Sequence, residues 1–330
     1  MSTIENKIVD VDEAGMRLDR WFKLHFPGLA FGQLQKLLRS GQIRLDGGRA
    51  KSDTRVAAGQ SVRLPPQVTS SGSKKPLTAN TIRDRGDRDV LQSMLLHEDK
   101  KVYVFNKPAG LAVQGGSGVN RHVDSMLESM RSQKGEKPRL VHRIDRDTSG
   151  ILVVARTRGA AAELTKSFRA RETEKTYWAI CKGVPRKHEG QISTWLLRER
   201  TEKGDMMRVV RHGEPDADHA VSNFRVIDQA GQNLSWMELQ PVTGRTHQLR
   251  IHTQHLGHPI IGDPKYFNIE NWEFPGGVQK KLHLHARRIR IPHPDGGMLD
   301  VKAPLPPHMV QTFNLLGLDQ SDGEDDDLNY

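Results

Sequence analysis

The chain has 330 residues, of which 35% are hydrophobic and 27% are charged, so it is long enough for two domains with a sizeable core. No stretch approaches the ~20 apolar residues that cross a bilayer, and the first residues, MSTIENKIVD, lack the apolar block of a signal peptide. We therefore expect a soluble, cytoplasmic protein. The single cysteine, Cys181, excludes an internal disulfide and a multi-cysteine zinc site.

The charge balance points to a polyanionic partner. Basic residues outnumber acidic ones by 50 to 40, and six of the acidic residues lie in the last twelve positions. A net charge of +10 on a globular protein favours nucleic acid as that partner, although a merely solvated basic surface is the alternative. We expect the acidic segment 317–330 to be a disordered, solubilising tail, with shielding of the basic surface as a further option.

Residues 1–64 show a helical and then a strand-like pattern. Apolar residues recur at three- and four-residue spacing in two runs, separated by Pro27 and Gly28, which predicts two short amphipathic helices. The runs are Leu18, Trp21, Phe22, Leu24 and Phe31, Leu34, Leu37, Leu38. The stretch IRLDGGRAK then predicts a strand, an Asp-Gly turn and a second strand, and QSVRLP closes the unit.

Basic side chains surround this small unit. Lys36, Arg39, Arg44 and Arg49 could form one continuous phosphate-facing surface, with a solvated face as the alternative. The following segment, 65–88, is rich in Pro, Ser, Thr, Gly and basic residues, so we predict a linker there.

Residues 89–316 form the larger unit, and strands dominate it. In chain order, the predicted elements are KVYVFNK as a strand, ILVVA as a buried strand, residues 159–172 as a helix, EKTYWAICKG as a strand, LQPVTGRTHQLRIH as a strand, turn and helix, and LHLHARRIRIPHPDGGMLDVK as further strands. Short turns join most of them. We therefore predict an α+β fold with a mixed, mainly antiparallel sheet flanked by helices.

The stretch HRIDRDTSG concentrates charge directly before the buried strand ILVVA. Its Arg and Asp residues could be an ordinary surface network. However, the segment GRTHQLR supplies Arg245 and Arg250 without an obvious acidic partner of their own. An arginine beside a carboxylate keeps it ionised at neutral pH, as a nucleophile or general base requires.

Two histidine groups raise the possibility of a metal site. The first is His247, His252, His255 and His258, and the second is His283 with His285. No HExxH motif is present, and two histidines on one strand face are more simply a hydrogen-bonded pair. We expect neither a metal nor a cofactor.

Two parts of the chain resemble known families. Residues 16–64 resemble the small RNA-binding domain named after ribosomal protein S-four. The motifs HRIDRDTSG, EKTYWAI, TGRTHQLRIH, GDPKY, LHLHA and APLP, in that order over residues 100–307, resemble the RluA family of pseudouridine synthases. The layout is similar to the bacterial ribosomal large-subunit enzymes of RluC and RluD type, apart from Ile144, where the family usually has Leu.

The resemblance implies roles for particular residues. Asp145 would be the catalytic aspartate, Arg250 the arginine that pairs with it, and Tyr177 the tyrosine that stacks against the target base. Arg143 would fill the space that the extruded base leaves. Substrate contacts are further expected from Arg245, His247 and Lys107, of which Lys107 would position backbone or phosphate rather than react.

The implied reaction is isomerisation of uridines in large-subunit ribosomal RNA. The oligomeric state is not readable from the sequence, and a monomer is our default expectation. Uracil leaves ribose as a delocalised anion and returns through C5, so a single carboxylate suffices where a retaining glycosidase needs two. Whether Asp145 adds to the sugar or removes the C2′ proton stays open. The alternatives are a non-catalytic RNA-binding assembly factor and a hydrolytic N-glycosidase.

Overall fold

The computed structural model describes residues 5–10, 13–26, 28–66, 68, 82–116, 119, 121–132, 135–201, 204–267, 272–273 and 275–324. The chain divides into two compact units, Met1–Ile82 and Arg83–Tyr330. Their boundary falls inside the predicted linker 65–88, of which residues 69–81 lie outside the described residues. Among the described residues, no helix is both long and apolar enough to cross a membrane.

The first unit consists of β1 (Glu5–Ile8), α1 (Leu18–His25), α2 (Phe31–Arg39), β2 (Arg44–Leu45) and β3 (Ser61–Leu64). The two predicted helices are confirmed, and their apolar faces share one core that includes Trp21 and Leu37. The strands form an antiparallel sheet in the order β1-β3-β2.

The predicted second strand after the Asp-Gly turn is wrong. β2 pairs with β3 instead, and Gly48 forms only an isolated bridge with Leu45. The chain beyond the turn has another role, because the carbonyls of Ser52 and Thr54 accept the backbone N–H groups of Asp19 and Leu18. They satisfy donors that the first turn of α1 cannot pair within the helix.

The second unit begins with a helix, α3 (Ile82–Ser93), so the prediction of linker for residues 82–88 is wrong. Leu91 of this helix is buried in the core. The following elements are β4 (Leu95–Glu98), β5 (Val102–Lys107), α4 (Val123–Met126), β6 (Arg139–Leu140), β7 (Ser149–Ala155), α5 (Arg158–Ala170) and β8 (Glu174–Lys182). The last elements are β9 (Glu189–Thr201), β10 (Gly204–Val210), β11 (Asp218–Ala230), β12 (Leu234–Pro241), α6 (Gln248–His255), β13 (Leu284–Pro292), β14 (Met298–Lys302) and α7 (Pro307–Leu316).

One large sheet holds these strands in the order β10-β9-β11-β12-β8-β13-β7-β5-β4, with β14 beside β13 and β6 beside β7. The β13–β7 pairing is parallel, and the other pairings of the described strands are antiparallel. The predicted fold class is therefore confirmed. Because β7 lies two strands from β8, the loop before β7 opens beside the middle of β8.

The two faces of this sheet carry different layers. Successive residues of a strand point to opposite faces, so Tyr177 and Trp178 of β8 define what we call the site face and the back face. On the site face, Leu239 lies opposite Tyr177 and packs in one cluster with Leu249 of α6. On the back face, Trp178 packs with Phe313 of α7.

The prediction that the chain is disordered from residue 317 onward is wrong for residues 317–324. Leu318 is buried against the core of α7, and Gln320–Gly323 forms a 3₁₀ helix. The apolar contact of Leu318 explains the difference, since it anchors the start of the acidic segment. Residues 325–330 lie outside the described residues.

Candidate active site

Asp145 lies in the loop between β6 and β7, on a segment whose side chains alternate in direction. Ile144 is buried in the core, whereas Arg143 and Arg146, which flank Ile144 and Asp145, are exposed. The Asp145 side chain is 20% exposed. The buried isoleucine thus fixes the loop, and the carboxylate stays reachable from solvent.

A buried lysine anchors the same loop. Lys107 has no exposed surface, and its Nζ donates to the carbonyls of Arg146 (2.9 Å), Pro108 (2.9 Å) and Leu111 (2.8 Å). Burial lowers the pKa of Lys107 to about 7, while Asp147 and Asp145 act in the opposite direction. Three carbonyl acceptors match the three donors of the ammonium. A direct contact of Lys107 with RNA does not fit this burial. The hydrogen bonds of Lys107 are those of a residue that positions the loop.

The end of the loop is fixed against β13. Gly150 has φ +107°, and a Cβ there would lie 2.3 Å from the carbonyl oxygen of Ala286, so only glycine allows the two strands to approach this closely. Beside it, the Ser149 hydroxyl and His285 Nδ1 are 2.9 Å apart. His142 Nε2 accepts the backbone N–H of Val153 at 2.8 Å, which fixes the other end of the loop.

Arg250 reaches the carboxylate from the first turn of α6. Its side chain is 2% exposed, and its Nη1 lies 3.4 Å from Asp145 Oδ2. The predicted pairing of these two residues is thus present in the structure as a long contact. Among the described residues it is the only hydrogen bond of the Asp145 carboxylate.

The closest partner of Arg250 is Asp263, which the sequence analysis did not assign to the site. Arg250 Nε and Nη2 each donate to Asp263 at 2.7 Å, a two-pronged pair that fixes the plane of the guanidinium. Asp263 is fully buried and also accepts the backbone N–H groups of Lys265 and Tyr266. The expectation that Arg250 lacks an acidic partner of its own is therefore wrong. Only the motif GDPKY carried a signal for Asp263.

Electrostatics keep the guanidinium charged in spite of its burial. Burial lowers the pKa of Arg250, but hydrogen bonding to Asp263, the charge of Asp263 and then that of Asp145 outweigh it, and the net direction is upward. A buried guanidinium that one carboxylate already neutralises presents its remaining N–H edge to Asp145. This arrangement orients the Asp145 carboxylate toward a fixed cation.

Two tyrosines and a histidine complete the group. Tyr177 is half-buried, and burial, followed by the charge of Asp145, raises its pKa. The Tyr266 hydroxyl accepts the Met207 N–H at 2.8 Å and lies 2.9 Å from His247 Nδ1, so its proton points to the histidine. Burial lowers the pKa of His247 to about 4, although the charge of Asp145 acts in the opposite direction. His247 is therefore neutral at pH 7.

The other predicted arginines lie at the surface. Arg143 is exposed and has no carboxylate partner among the described residues. Arg245, which was also expected to lack one, lies 3.1 Å from Asp218. That expectation is therefore wrong for Arg245.

The basic residues of the first unit converge near Gly41. A Cβ there would lie 3.6 Å from Arg49 Nε and 4.0 Å from Arg44 Nη2. Lys36 and Arg39 belong to the last turn of α2. None of the four cations pairs with a carboxylate in the described part of the unit, so the surface keeps its positive charge.

Five of the six histidines considered as metal ligands have hydrogen-bond partners in the protein, the exception among the described residues being His255. His252 bonds Thr194 and Ser222, and His283 bonds Thr312 and the carbonyl of Lys281. No group of three or more His, Cys, Asp or Glu side chains able to hold a metal occurs within the described ranges.

Comparisons with known proteins agree with this geometry. Residues 101–255 match the model of the RNA pseudouridylate synthase family. The chain is 34% identical over 301 residues to the ribosomal large subunit pseudouridine synthase C of Haemophilus influenzae, covering 90% of this chain and 89% of that protein. The corresponding protein of Escherichia coli is 33% identical over 303 residues, covering 90% and 92%.

A solved structure shows the same class of fold. Human RNA pseudouridylate synthase domain containing 4 superposes with a TM-score of 0.60 at 29% identity, covering 72% of this chain and 98% of that one. The fold and the matches define an RNA pseudouridine synthase, which is an isomerase. Within that class, the chain belongs to the RluA family, as its motifs predicted.

Proposed function

We propose that this chain converts uridines of large-subunit ribosomal RNA into pseudouridine, with Asp145 as the catalytic carboxylate. The observation that carries the proposal is the partly exposed Asp145, 3.4 Å from an Arg250 that the buried Asp263 holds in place. The relatives named as ribosomal large subunit pseudouridine synthase C support the choice of RNA. Ribosomal RNA as substrate implies the cytoplasm as the place of action.

The reaction needs one ionised carboxylate and a fixed ribose. The bond from N1 to C1′ breaks, the uracil rotates, and C5 bonds to C1′ while its proton leaves. Both routes for Asp145, addition to C1′ and removal of the C2′ proton, start from the carboxylate, which lies beside the Arg250 guanidinium. The Asp263 pair prevents the guanidinium from turning away from Asp145 during the reaction.

Tyr177 and Arg143 serve the extruded nucleotide. Tyr177 stacks on the uracil, and as an undissociated phenol its hydroxyl can assist proton transfer at C5. Arg143 is exposed two residues from Asp145, where its side chain can enter the space that the base leaves in the RNA. Arg245 and His247 lie on the same segment as Arg250 and would contact the neighbouring backbone.

The first unit supplies RNA affinity. Lys36, Arg39, Arg44 and Arg49, none of which pairs with a carboxylate in the described part of the chain, form a surface suited to phosphates. A monomeric enzyme is part of this proposal.

Release of tritium from ribosomal RNA labelled at uracil C5 tests the proposal. We expect the purified protein to release label from large-subunit RNA and much less from small-subunit RNA, without producing free uracil. Carbodiimide treatment and reverse transcription then locate the modified positions. Free uracil as the product would indicate a glycosidase, and the absence of any release would indicate an RNA-binding protein without this activity.

A further inference from the structure

A pocket of about 570 Å³ opens where β10, the strand at one end of the sheet order, lies beside α6, and we call it the edge pocket. Its floor is formed by the buried side chains of Met207, Ile251 and Tyr266, which belong to one apolar cluster. The exposed side chains of Gln254 and His255 lie at its rim. The volume is within the range of about 300–1,000 Å³ that small-ligand sites have.

One floor residue, Tyr266, joins the edge pocket to the catalytic group. Its ring centroid lies 5.3 Å from the guanidinium carbon of Arg250, and its hydroxyl lies 2.9 Å from His247 Nδ1. Arg250 in turn lies 3.4 Å from Asp145. Gln254 is one turn of α6 beyond Arg250, about 6 Å along the helix axis. An RNA whose target uridine lies at Asp145 therefore has its neighbouring nucleotides within reach of the pocket.

Hydrogen bonds fix β10 against the segment that follows α6. The backbone N–H of Met207 donates to the Tyr266 hydroxyl at 2.8 Å, and Lys265 Nζ donates to the carbonyl of Asp205 at 2.6 Å. Both sides of the edge pocket are therefore held in place by the protein itself. A ligand that enters a pre-formed pocket loses less of its binding energy to ordering the protein.

The chemistry of the edge pocket matches a nucleobase. An aromatic ring and a thioether in the floor, from Tyr266 and Met207, offer contact to the face of a base. The Gln254 amide both donates and accepts hydrogen bonds, which matches the donor and acceptor on the edge of adenine. Neither this amide nor the His255 ring has a hydrogen-bond partner among the described residues. The rim can therefore read the edge of a base that stacks on the floor.

A phosphate group matches the edge pocket less well than a base does. Arg208 is the one lysine or arginine in the lining, and it lies 3.8 Å from Glu199, which also lines the pocket. The two charges offset each other, whereas phosphate binding depends on an excess of positive charge. The apolar floor and the amide thus favour a neutral ligand.

We propose that the edge pocket binds an unpaired base of the substrate RNA that lies within two nucleotides of the target uridine. This inference rests on the proposed function, because it takes RNA as the substrate. Its consequence is target selection. The enzyme recognises a second nucleotide beside the uridine at Asp145, and uridines without an unpaired neighbour are poorer substrates.

Methionine NMR tests the occupancy without catalysis. Met206 and Met207 both line the edge pocket, and their isotope-labelled methyl groups report a base that binds beside them. The probe is a single-stranded tetramer of adenosine, which contains no uridine. We expect it to shift both methyl signals of the full-length protein saturably and to leave unchanged that of Met298, an exposed methionine of β14. No shift at Met206 and Met207, or an equal shift at Met298, overturns the proposal.

A variant that fills the edge pocket locates the binding. Gln254→Trp places an indole over the apolar floor from an exposed position, so we expect the fold to be retained and the RNA-dependent methyl shifts to disappear. Gln229→Trp, at an exposed glutamine of β11, is the control and should keep the shifts. Shifts that persist in Gln254→Trp would mean that the base binds elsewhere and would overturn the proposal.

Kinetics on abasic RNA test whether the reaction uses the edge pocket. The substrates are copies of one large-subunit RNA fragment with a modified uridine, in which each of the two nucleotides on either side is made abasic in turn. One such change should lower kcat/KM of the wild-type protein about tenfold, because the stacking of that base is lost. The same change should have no further effect in Gln254→Trp.

The outcomes separate this inference from the proposed function. Equal losses in the two proteins, or no loss in the wild type at any abasic position, would overturn the role of the edge pocket while the isomerase activity stands. Absence of tritium release from every RNA, with the methyl shifts preserved, would instead overturn the proposed function.

Discussion

Asp263 and Asp145 both contact Arg250, but they come from segments that hold them differently. Asp263 is fully buried and accepts four N–H groups, two from Arg250 and two from the backbone. Asp145 is 20% exposed and accepts one, at 3.4 Å. A carboxylate with every acceptor position satisfied is structural, whereas one with free lone pairs beside a fixed cation can react. The difference assigns their roles, although the two side chains are chemically identical.

The largest effect on stability is expected when the structural carboxylate, Asp263, is changed. Asp263→Asn removes the charge that neutralises the buried Arg250, and loss of one partner of a buried pair costs about 3–5 kcal/mol. The displaced guanidinium should also lower the isomerisation rate by about a hundredfold. Chemical denaturation and single-turnover tritium release measure the two effects.

Asp300→Asn is the matched control for that variant. Asp300 forms partly exposed ion pairs with Arg288 and Arg290, and pairs at the surface contribute about 1 kcal/mol or less. If Asp263→Asn proved no more destabilising than this control, the Asp263 pair would not be the support of the site.

A smaller effect is expected from the base-facing tyrosine. Tyr177→Phe keeps the stacking surface but removes the hydroxyl, so the rate should fall by about a hundredfold while folding stability is unchanged. Tyr103→Phe, a buried tyrosine of β5, should leave the rate unaltered. Full activity of Tyr177→Phe in the tritium assay would exclude its hydroxyl from the proton transfer.

Arg143 should have an effect that depends on the RNA. Arg143→Ala should lower kcat/KM by about tenfold on a target uridine stacked in a helix, because the vacancy is then unfilled. On a bulged, unpaired uridine the same variant should match the wild-type protein. Arg146→Ala, an exposed neighbour, is the control, and equal losses on both RNAs would contradict the vacancy-filling role.

The last expected effect, which concerns stability alone, is that of a buried histidine that resembles Asp263 in being fully partnered. Burial lowers the pKa of His283 to about 4, from 6.5 in the unfolded chain. The unfolded state therefore binds the proton first as pH falls, and stability is complete above pH 6.5 and declines toward pH 4. The slope due to this residue is about 1.4 kcal/mol per pH unit.

Denaturant midpoints between pH 7 and pH 4.5 measure that slope. His283→Asn should reduce it, whereas His188→Gln, at an exposed position, should not. An unchanged slope in His283→Asn would mean that the buried imidazole already takes up a proton in the folded state.

The comparison also shows what the sequence could predict. Asp145 and Arg250 were predictable because the contiguous motifs that contain them, HRIDRDTSG and TGRTHQLRIH, resemble those of the RluA family. Asp263 was not, since its pairing with Arg250 depends on how α6 folds back on the following loop. The fold class followed from the alternation of strands and turns.

Other outcomes also have local physical causes. Lys107 lies in a Lys-Pro turn and was expected to position backbone or phosphate, and three backbone carbonyls that converge in space use its donors. The segment 317–324 reads as disordered from its composition, yet Leu318 and Gly323 fit an apolar and aromatic surface formed by distant strands. A local sequence pattern cannot predict contacts between residues that are far apart in the chain.

The central claim is that Asp145, steadied by Arg250, performs the chemistry. Single-turnover tritium release by Asp145→Asn, compared with Asp147→Asn two residues away, tests it most directly. The account predicts no detectable release by Asp145→Asn with unchanged RNA affinity, and nearly full release by Asp147→Asn, whose carboxylate pairs only with the exposed Arg146 among the described residues. Release by Asp145→Asn at the wild-type rate would contradict the account.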